Sequence, residues 1–260
     1  MSFDFRTTRR AAGIAAMLAV AAVHSSAMGD ILGTAQRFAV LGGSTVTNTG
    51  PSIINGDLGV WPGEAVTGFP PGIVNGTIHA GNAVAQQAQA DVTTAYNILA
   101  NMAMTRDLTG QDLGGMILTP GVYFFSSSAQ LTSTLSLDAM GDPNALFVFQ
   151  IGSTLTTASN SSILNIEGAS GCNVYWQIGS SATLGTETAF IGNMLALTSI
   201  TLNTDATILD GRALARNGAV TLDSNIITGG CIPAPGTALL LGFACTAVLG
   251  SRRRRSGDSQ

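Results

Sequence analysis

The stretch Leu131-Thr132-Ser133-Thr134-Leu135-Ser136-Leu137 decides the fold of this chain. Aliphatic and hydroxyl residues alternate in it, which in a β-strand puts leucine on one side and hydroxyl groups on the other. Recurrence of such a strand at a few tens of residues is typical of solenoids, whose coils bury their apolar edges against their neighbours. The pattern therefore predicts a β-solenoid with a threonine-rich outer surface. Comparable strands follow about every two dozen residues, at 152–156, 181–184, 200–203 and 219–223.

The N-terminal part of the body repeats a second short motif. Ile54-Asn55-Gly56-Asp57-Leu58 and Val74-Asn75-Gly76-Thr77-Ile78 are near-copies, and Asn-Gly marks a turn in each. We therefore expect β coils in this part as well.

One segment, at about 82–104, contains neither glycine nor proline and has a different periodicity. Apolar residues recur in it at helical spacing, and Asn82 is a suitable N-cap. The pattern predicts one long amphipathic α-helix docked on the β-sheet through this apolar stripe: Val84, Ala88, Val92, Ala95, Leu99 and Met102.

Both ends of the chain carry predicted targeting segments. At the start, three arginines precede the apolar run 11–23 and the small residues 25–27, which indicates a signal peptide over 1–27. At the other end, Pro233-Ala234-Pro235 leads into the apolar run 236–250 and four arginines. This layout resembles the PEP-CTERM sorting signal, which a membrane peptidase of Gram-negative bacteria removes, with Ala234 in place of the glutamate of Pro-Glu-Pro. A plain C-terminal membrane anchor is the alternative.

These segments leave a body of one domain, at 28–230, followed by the tail 231–260. Over 28–235 the chain has thirteen acidic residues, four arginines and no lysine, so the net charge there is near −9. Such a charge argues against nucleic acid and anionic membrane surfaces as partners. We expect a secreted or cell-surface protein.

Two of the three cysteines lie outside the apolar run 236–250. Cys172 and Cys231 are the candidate disulfide pair in an oxidising compartment, and two buried free thiols are the alternative. Cys245 lies within the apolar tail.

The body lacks a recognisable set of catalytic residues. Polysaccharide-cleaving β-helices need paired carboxylates or a basic residue in a groove. Asp205 with Asp210, and Asp138 with Asp142, are nominal pairs, but aspartate in turns explains them better. His79 is the one histidine of the body, and no metal-ligand spacing occurs. We predict a protein that is not an enzyme and has no cofactor.

Four motifs, in order along the body, carry a resemblance to a known family. Residues 38–50, 54–60, 173–186 and 211–222 resemble successive coils of the DUF3494-type ice-binding proteins. The resemblance implies a mainly β fold: a right-handed, discontinuous parallel β-helix with one long α-helix packed alongside. It also implies an antifreeze-like function, in which one flat face of the β-helix adsorbs to ice and its ordered water.

Outward threonines of the repeated strands are the candidate ice-binding residues, because their methyl and hydroxyl groups can order and bind adjacent water. The alternative is a structural or adhesion protein of the cell surface or extracellular matrix, with extracellular polysaccharide as its partner. The candidate residues are Thr45, Thr47, Thr132, Thr134, Thr154, Thr156, Thr183, Thr201 and Thr221.

Overall fold

The protein is described here by a computed structural model that covers residues 31–230. It contains one α-helix, α1 (Ala83–Ala100), and two short 3-10 helices, Gly33–Arg37 and Gly171–Asn173. The strands are β1 Phe38–Gly42, β2 Thr45–Thr49, β3 Ile53–Asn55, β4 Asp57–Val60, β5 Ala65–Thr67, β6 Ile73–Asn75, β7 Ile78–Ala80, β8 Arg106–Asp107, β9 Ile117–Leu118, β10 Gly121–Phe125, β11 Ala129–Leu131, β12 Thr134–Asp138, β13 Phe147–Ile151, β14 Leu155–Thr157, β15 Ser162–Ile166, β16 Val174–Ile178, β17 Ala182–Leu184, β18 Ala189–Ala196, β19 Ile200–Leu202, β20 Thr207–Ala215, β21 Val220–Asp223 and β22 Ile226–Thr228.

Successive coils stack their strands in parallel, and the stacks form three faces. Face B is the seven-stranded sheet in the order β11-β14-β17-β19-β21-β2-β5. Face C runs in the order β9-β12-β15-β18-β20-β22-β3-β6. Face A runs in the order β8-β10-β13-β16-β18-β20-β1-β4-β7. The long strands β18 and β20 contribute their first halves to face C and their second halves to face A.

Stacked glycines let β18 and β20 turn from face C into face A. Gly192 has φ 104°, and a Cβ placed on Gly211 would lie 1.9 Å from the Gly192 carbonyl oxygen. The pairing register shifts at this point, between Ile191 and Asn193. No side chain fits between the two backbones, so the corner requires glycine.

The spatial order of the coils differs from their order in the chain. The N-terminal strands β1, β2 and β3 pair with β20, β21 and β22 of the last coil. The chain then returns along face A through α1, whose 18 residues span about 27 Å. Face A has nine strands, or about 38 Å from β7 to β8, so residues 101–105 complete the return. The predicted mainly β fold with parallel strands, discontinuous coils and one helix alongside is confirmed.

The helix begins where the sequence predicts and ends earlier. Asn82 caps it through Oδ1, which accepts hydrogen bonds from the backbone N–H groups of Val84 (3.1 Å) and Ala85 (3.0 Å). It ends at Ala100, four residues before the predicted end at 104. Val84, predicted within the buried stripe, is 41% exposed. Four residues of the predicted stripe are buried, and the buried face is wider on one side than predicted, so that Val84 lies just beyond its opposite edge. The buried face comprises Ala85, Ala88, Gln89, Val92, Ala95, Tyr96 and Leu99.

Polar side chains fasten the helix to face A in addition to its apolar contacts. Gln89 Nε2 donates to the Ala215 carbonyl oxygen at 2.9 Å, and Tyr96 Oη donates to the Ile178 carbonyl oxygen at 3.3 Å. From the sheet, Gln150 Nε2 donates to the Leu99 carbonyl oxygen at 2.7 Å. These partners satisfy buried polar groups that would otherwise cost about 1–3 kcal/mol each.

The interior of the β-helix is a continuous aliphatic and aromatic core. Tyr123, Phe149 and Trp176 occupy equivalent positions in successive coils, with ring centroids 5.4 and 3.8 Å apart. Phe190 packs against the end of this stack at an angle, with its ring tilted by 47° and its centroid 5.0 Å from that of Trp176. The stacked rings hold the coils in register, which gives the outer faces a rigid support.

The predicted signal peptide 1–27 and tail 231–260 lie outside the described residues. Over the range 31–230, no helix combines the length and the apolar character that a membrane span needs.

Candidate functional site

The central outward positions of face B are in register across all seven strands. Six of the seven are threonine, and at about 4.7 Å per strand the six span about 24 Å. We call these six residues the threonine column. In spatial order they follow Gln130 as Thr156, Thr183, Thr201, Thr221, Thr47 and Thr67.

The alternation of the sequence forces these threonines outward. On either side of Thr183, Ala182 and Leu184 are buried in the core, and the neighbours of Thr201 are buried in the same way. Because side chains alternate across a strand, burying the aliphatic pair turns the residue between them toward solvent. The same interior residues therefore set the orientation of the column.

A second column runs beside the first, two residues earlier in the chain, at or just before the first residue of each strand. All its members are small, so face B stays flat across both columns. Ser128 Oγ lies 2.8 Å from Thr154 Oγ1, so two hydroxyl groups of this column bind each other. This small-residue column comprises Ser128, Thr154, Ser181, Ser199, Ala219, Thr45 and Ala65.

Most hydroxyl groups of the threonine column are available to water. Within residues 31–230, the one side-chain hydrogen bond in the column joins Thr47 Oγ1 to Thr221 Oγ1, at 3.5 Å. That distance is long for a bond between hydroxyl groups. The remaining hydroxyls can donate to and accept from solvent, while each β-branched side chain keeps its methyl group in a fixed place.

Acidic and amide groups close one end of the column. Asp112 lies beside Gln130 in a parallel bridge, and its carboxylate accepts hydrogen bonds from the Gly114 backbone N–H (2.8 Å) and from Thr132 Oγ1. Burial alone raises the pKa of Asp112, but the hydrogen bonds from Thr132 and Gly114 outweigh it, and the pKa lies below its ordinary value of 3.8. A shallow cavity of about 250 Å³ opens here, lined by Gly110, Gln111, Asp112, Ser128 and Gln130.

The structure sorts the nine predicted threonines into different places. Thr132 lies at the corner between faces B and C, with its hydroxyl on Asp112. Thr134 lies on face C, where its Oγ1 is 2.9 Å from Ser162 Oγ. Two of the others, Thr45 and Thr154, belong to the small-residue column. The threonine column contains the remaining five, Thr47, Thr156, Thr183, Thr201 and Thr221.

Sequence reasoning missed Thr67, which ends the threonine column. A signal was present, because Ala65-Val66-Thr67 repeats Ala219-Val220-Thr221. Both triplets place alanine in the small-residue column and threonine in the threonine column.

Three aspartates of the nominal acidic pairs, Asp138, Asp142 and Asp205, serve or lie in local turns, as the sequence predicts, whereas Asp210 lies within β20. Asp138 Oδ1 accepts from the Met140 N–H and Asp142 Oδ1 from the Asn144 N–H, both at 2.8 Å. His79 is buried beside the helix N-cap, with Nδ1 3.2 Å from Asn82 Nδ2. In the part of the chain that the structure describes, no group of three or more histidine, cysteine, aspartate or glutamate side chains could hold a metal ion.

Comparison with known proteins identifies the family. The profile of the Ice-binding-like family matches residues 40–228, which include the whole of face B. The chain belongs to this family. A relative named as an ice-binding protein, from Nostoc sp. (strain HG1), is 56% identical over 96% of this chain and 97% of its own length.

Solved structures of ice-binding proteins share the fold. The crystal structure of an ice binding protein from an Antarctic biological consortium is 51% identical, with a TM-score of 0.74, over 76% of this chain and 89% of that one. The ice-binding protein from the Antarctic ascomycete Antarctomyces psychrotrophicus is 42% identical, with a TM-score of 0.73, over 76% of this chain and 96% of that one. These solved structures support the β-helix architecture described above.

Cys172 forms a disulfide bond. Cys231, its predicted partner, lies outside the described residues. The last described residue lies close to Cys172: a Cβ on Gly230 would be 2.6 Å from Asp210 Oδ1, and a Cβ on Gly171 would be 2.7 Å from Asp210 Cβ.

Proposed function

We propose that this member of the ice-binding-like family adsorbs to ice through face B and thereby inhibits ice growth or recrystallisation. The observation that carries the proposal is the threonine column, six identical side chains in register on a flat sheet. Methyl groups at fixed intervals order the adjacent water, and the hydroxyl groups between them bond to it. A surface of this kind matches a solid better than it holds a small molecule.

Because face B is rigid, many weak contacts with water are sufficient for adsorption to ice. A water-mediated hydrogen bond is nearly as favourable as a direct one, and its main cost is the ordering of the groups involved. On face B that ordering is already complete, because the strands are stacked on a packed core and threonine is stiff about χ1. The proposed partner is therefore the ice surface with its ordered water, and the function is not enzymatic.

The first experiment compares two threonines of one coil. Thr201 lies in the threonine column of face B, and Thr207 lies on face C, six residues later, at a similar half-buried position. We expect Thr201→Lys to abolish inhibition of ice recrystallisation, because a long hydrated side chain disrupts the ordered water layer. Thr207→Lys is expected to inhibit like the wild type.

Circular dichroism and thermal unfolding would establish that both variants fold. Equal losses in the two variants, or no inhibition by the folded wild type, would overturn the assignment to face B.

We also propose the features of export that the sequence predicts. Residues 1–27 act as a signal peptide, a sorting peptidase processes the tail 231–260, and Cys172 pairs with Cys231. The position of Gly230 near Gly171 supports this disulfide. We further infer that the β-helix is right-handed, as the resemblance to the ice-binding family implies. Binding to extracellular polysaccharide at room temperature, with no effect on ice, would instead favour the structural or adhesion role.

A further inference from the structure

Face C presents aliphatic side chains where face B presents threonine. Seven of its eight strands carry an outward isoleucine or leucine, and five of these side chains are between 42% and 68% exposed. No outward position in the two columns of face B holds an aliphatic residue larger than alanine. We call this set the aliphatic ladder, which falls into two neighbouring columns. One column holds Ile117, Leu164, Ile191 and Leu209; the other, two residues earlier in the strands, holds Ile226, Ile53 and Ile73.

The 3-10 helix Gly171–Asn173 packs on Ile191, whereas the five exposed members of the ladder have no described element over them. On face A, α1 buries the outward residues Phe38, Val148 and Tyr175. Face C has no such cover among residues 31–230, although its apolar side chains recur from one end of the stack to the other. Exposed apolar side chains that recur along one surface in this way mark an interaction site.

The chain leaves the described region on face C. Gly230, its last residue, comes two residues after β22 and lies at the edge of face C, where a Cβ on it would be 2.6 Å from Asp210 Oδ1 of β20. The apolar run 236–250 comes next, and as a helix its fifteen residues would be about 22 Å long. From β22 to β9 the face extends five strand steps, or about 24 Å, whereas only about 9 Å remain between β22 and β6. The run therefore fits along face C in the direction of β9.

Charges favour the same direction. The edge where face C turns into face A carries Asp138, Asp142 and Glu167, together with Asp210. The apolar run is followed by four arginines, Arg252–Arg255 in sequence. Arginines at the far end of the run would meet this acidic edge, whereas a second copy of face C would bring acidic groups against acidic groups.

We propose that residues 236–250 lie along face C in the full-length chain, from β22 toward β9, and cover the aliphatic ladder. The apolar run is then kept out of water until a membrane takes it up, so the exported precursor stays soluble. Face B remains open, so the proposal does not depend on ice binding.

The thiol of Cys245 allows a direct test on the full chain. Cys245 is nine residues into the run, about 14 Å along a helix, which is also the distance of three strand steps from β22 to β15. We expect Leu164→Cys, on β15, to form an intramolecular disulfide with Cys245 under mild oxidation. Thr156→Cys, which is in the same coil but on face B, is the matched control and is expected to form none.

Mass spectrometry of peptides and non-reducing gels would read out the disulfides. Arg252→Glu combined with Arg253→Glu, in the Leu164→Cys background, is expected to reduce the crosslink yield. Equal yields from the two cysteine positions, no crosslink at either, disulfide-linked dimers, or a full chain that stays in solution only with detergent would each overturn the proposal. Inhibition of ice recrystallisation is a separate readout, which the crosslink on face C should leave unchanged.

Discussion

Faces B and C are built by the same coils on the same core, yet they present opposite surfaces. In the coil of β19 and β20, Ile200 and Ile208 are both buried, whereas the next residues outward are Thr201 on face B and Leu209 on face C. The interior thus requires aliphatic residues at the inward positions of both sheets, whereas the outward positions are free to vary. In a β-helix a surface can be specialised one face at a time, because alternate residues belong to different environments.

After the loss expected from Thr201→Lys, the next largest effect should come from placing a face C side chain on face B. Thr183→Leu puts the side chain typical of face C into the threonine column, and we expect about a tenfold loss of ice recrystallisation inhibition, or about 1.4 kcal/mol. Leucine lacks the hydroxyl and projects further, so it breaks both the water contacts and the flat surface. The matched change Thr207→Leu on face C should leave inhibition unchanged. An active Thr183→Leu variant would mean that face B does not differ from face C in function.

The corner between the two faces offers a test of stability. Glu187 has φ 57°, a left-handed conformation that costs a residue with a side chain about 1–2 kcal/mol. Glycine adopts this conformation without strain, but it also gives the unfolded chain more conformational entropy, which offsets part of the gain. Glu187→Gly should therefore raise the free energy of unfolding by about 0.5–1 kcal/mol in urea denaturation. Glu187→Ala keeps the strain and should give no such gain; a gain from alanine would mean that the effect lies in the lost carboxylate.

Lengthening the threonine column should have a smaller effect. Gln130 occupies the column position next to Thr156, so Gln130→Thr would make seven threonines in register. We expect inhibition to improve by less than about threefold, because the added residue lies at the end of the array. Gln111→Thr, in the adjacent cavity lining, serves as the control and should change nothing. Reduced inhibition by Gln130→Thr would show that the amide itself contributes to binding.

Acid should weaken the same end of face B slightly. Because the folded-state pKa of Asp112 lies below 3.8, its hydrogen bonds to Thr132 and Gly114 contribute stability above that pH. The contribution is lost as the pH falls through the folded-state pKa. Urea midpoints at pH 7 and near pH 2.5 should therefore differ less for Asp112→Asn than for the wild type. An identical pH dependence in both proteins would mean that these hydrogen bonds do not stabilise the folded state.

Local patterns in the sequence predicted the elements and their chemistry. Asn82 caps the helix as expected, because an N-cap depends only on the residues that follow it. The buried face of the helix was predicted less accurately. Val84 fits the predicted periodicity but is exposed, whereas Gln89 and Tyr96 are buried because they donate hydrogen bonds to carbonyl oxygens of face A. Hydrogen bonds between distant segments leave no periodic signal in the sequence.

The sequence by itself determined the alternating strands, the single helix, the threonine-rich repeats and the resemblance to the ice-binding family, since each of these is a local pattern. Only the tertiary structure decided which threonines share a face. Thr47 lies beside Thr221, which is 174 residues later in the chain, because the N-terminal coils stack on the last one. Thr134, only four residues after the Gln130 position of face B, lies on face C because the chain turns a corner between them. Strand alternation is a property of neighbours, whereas the faces arise from the stacking of coils and the turns between their strands.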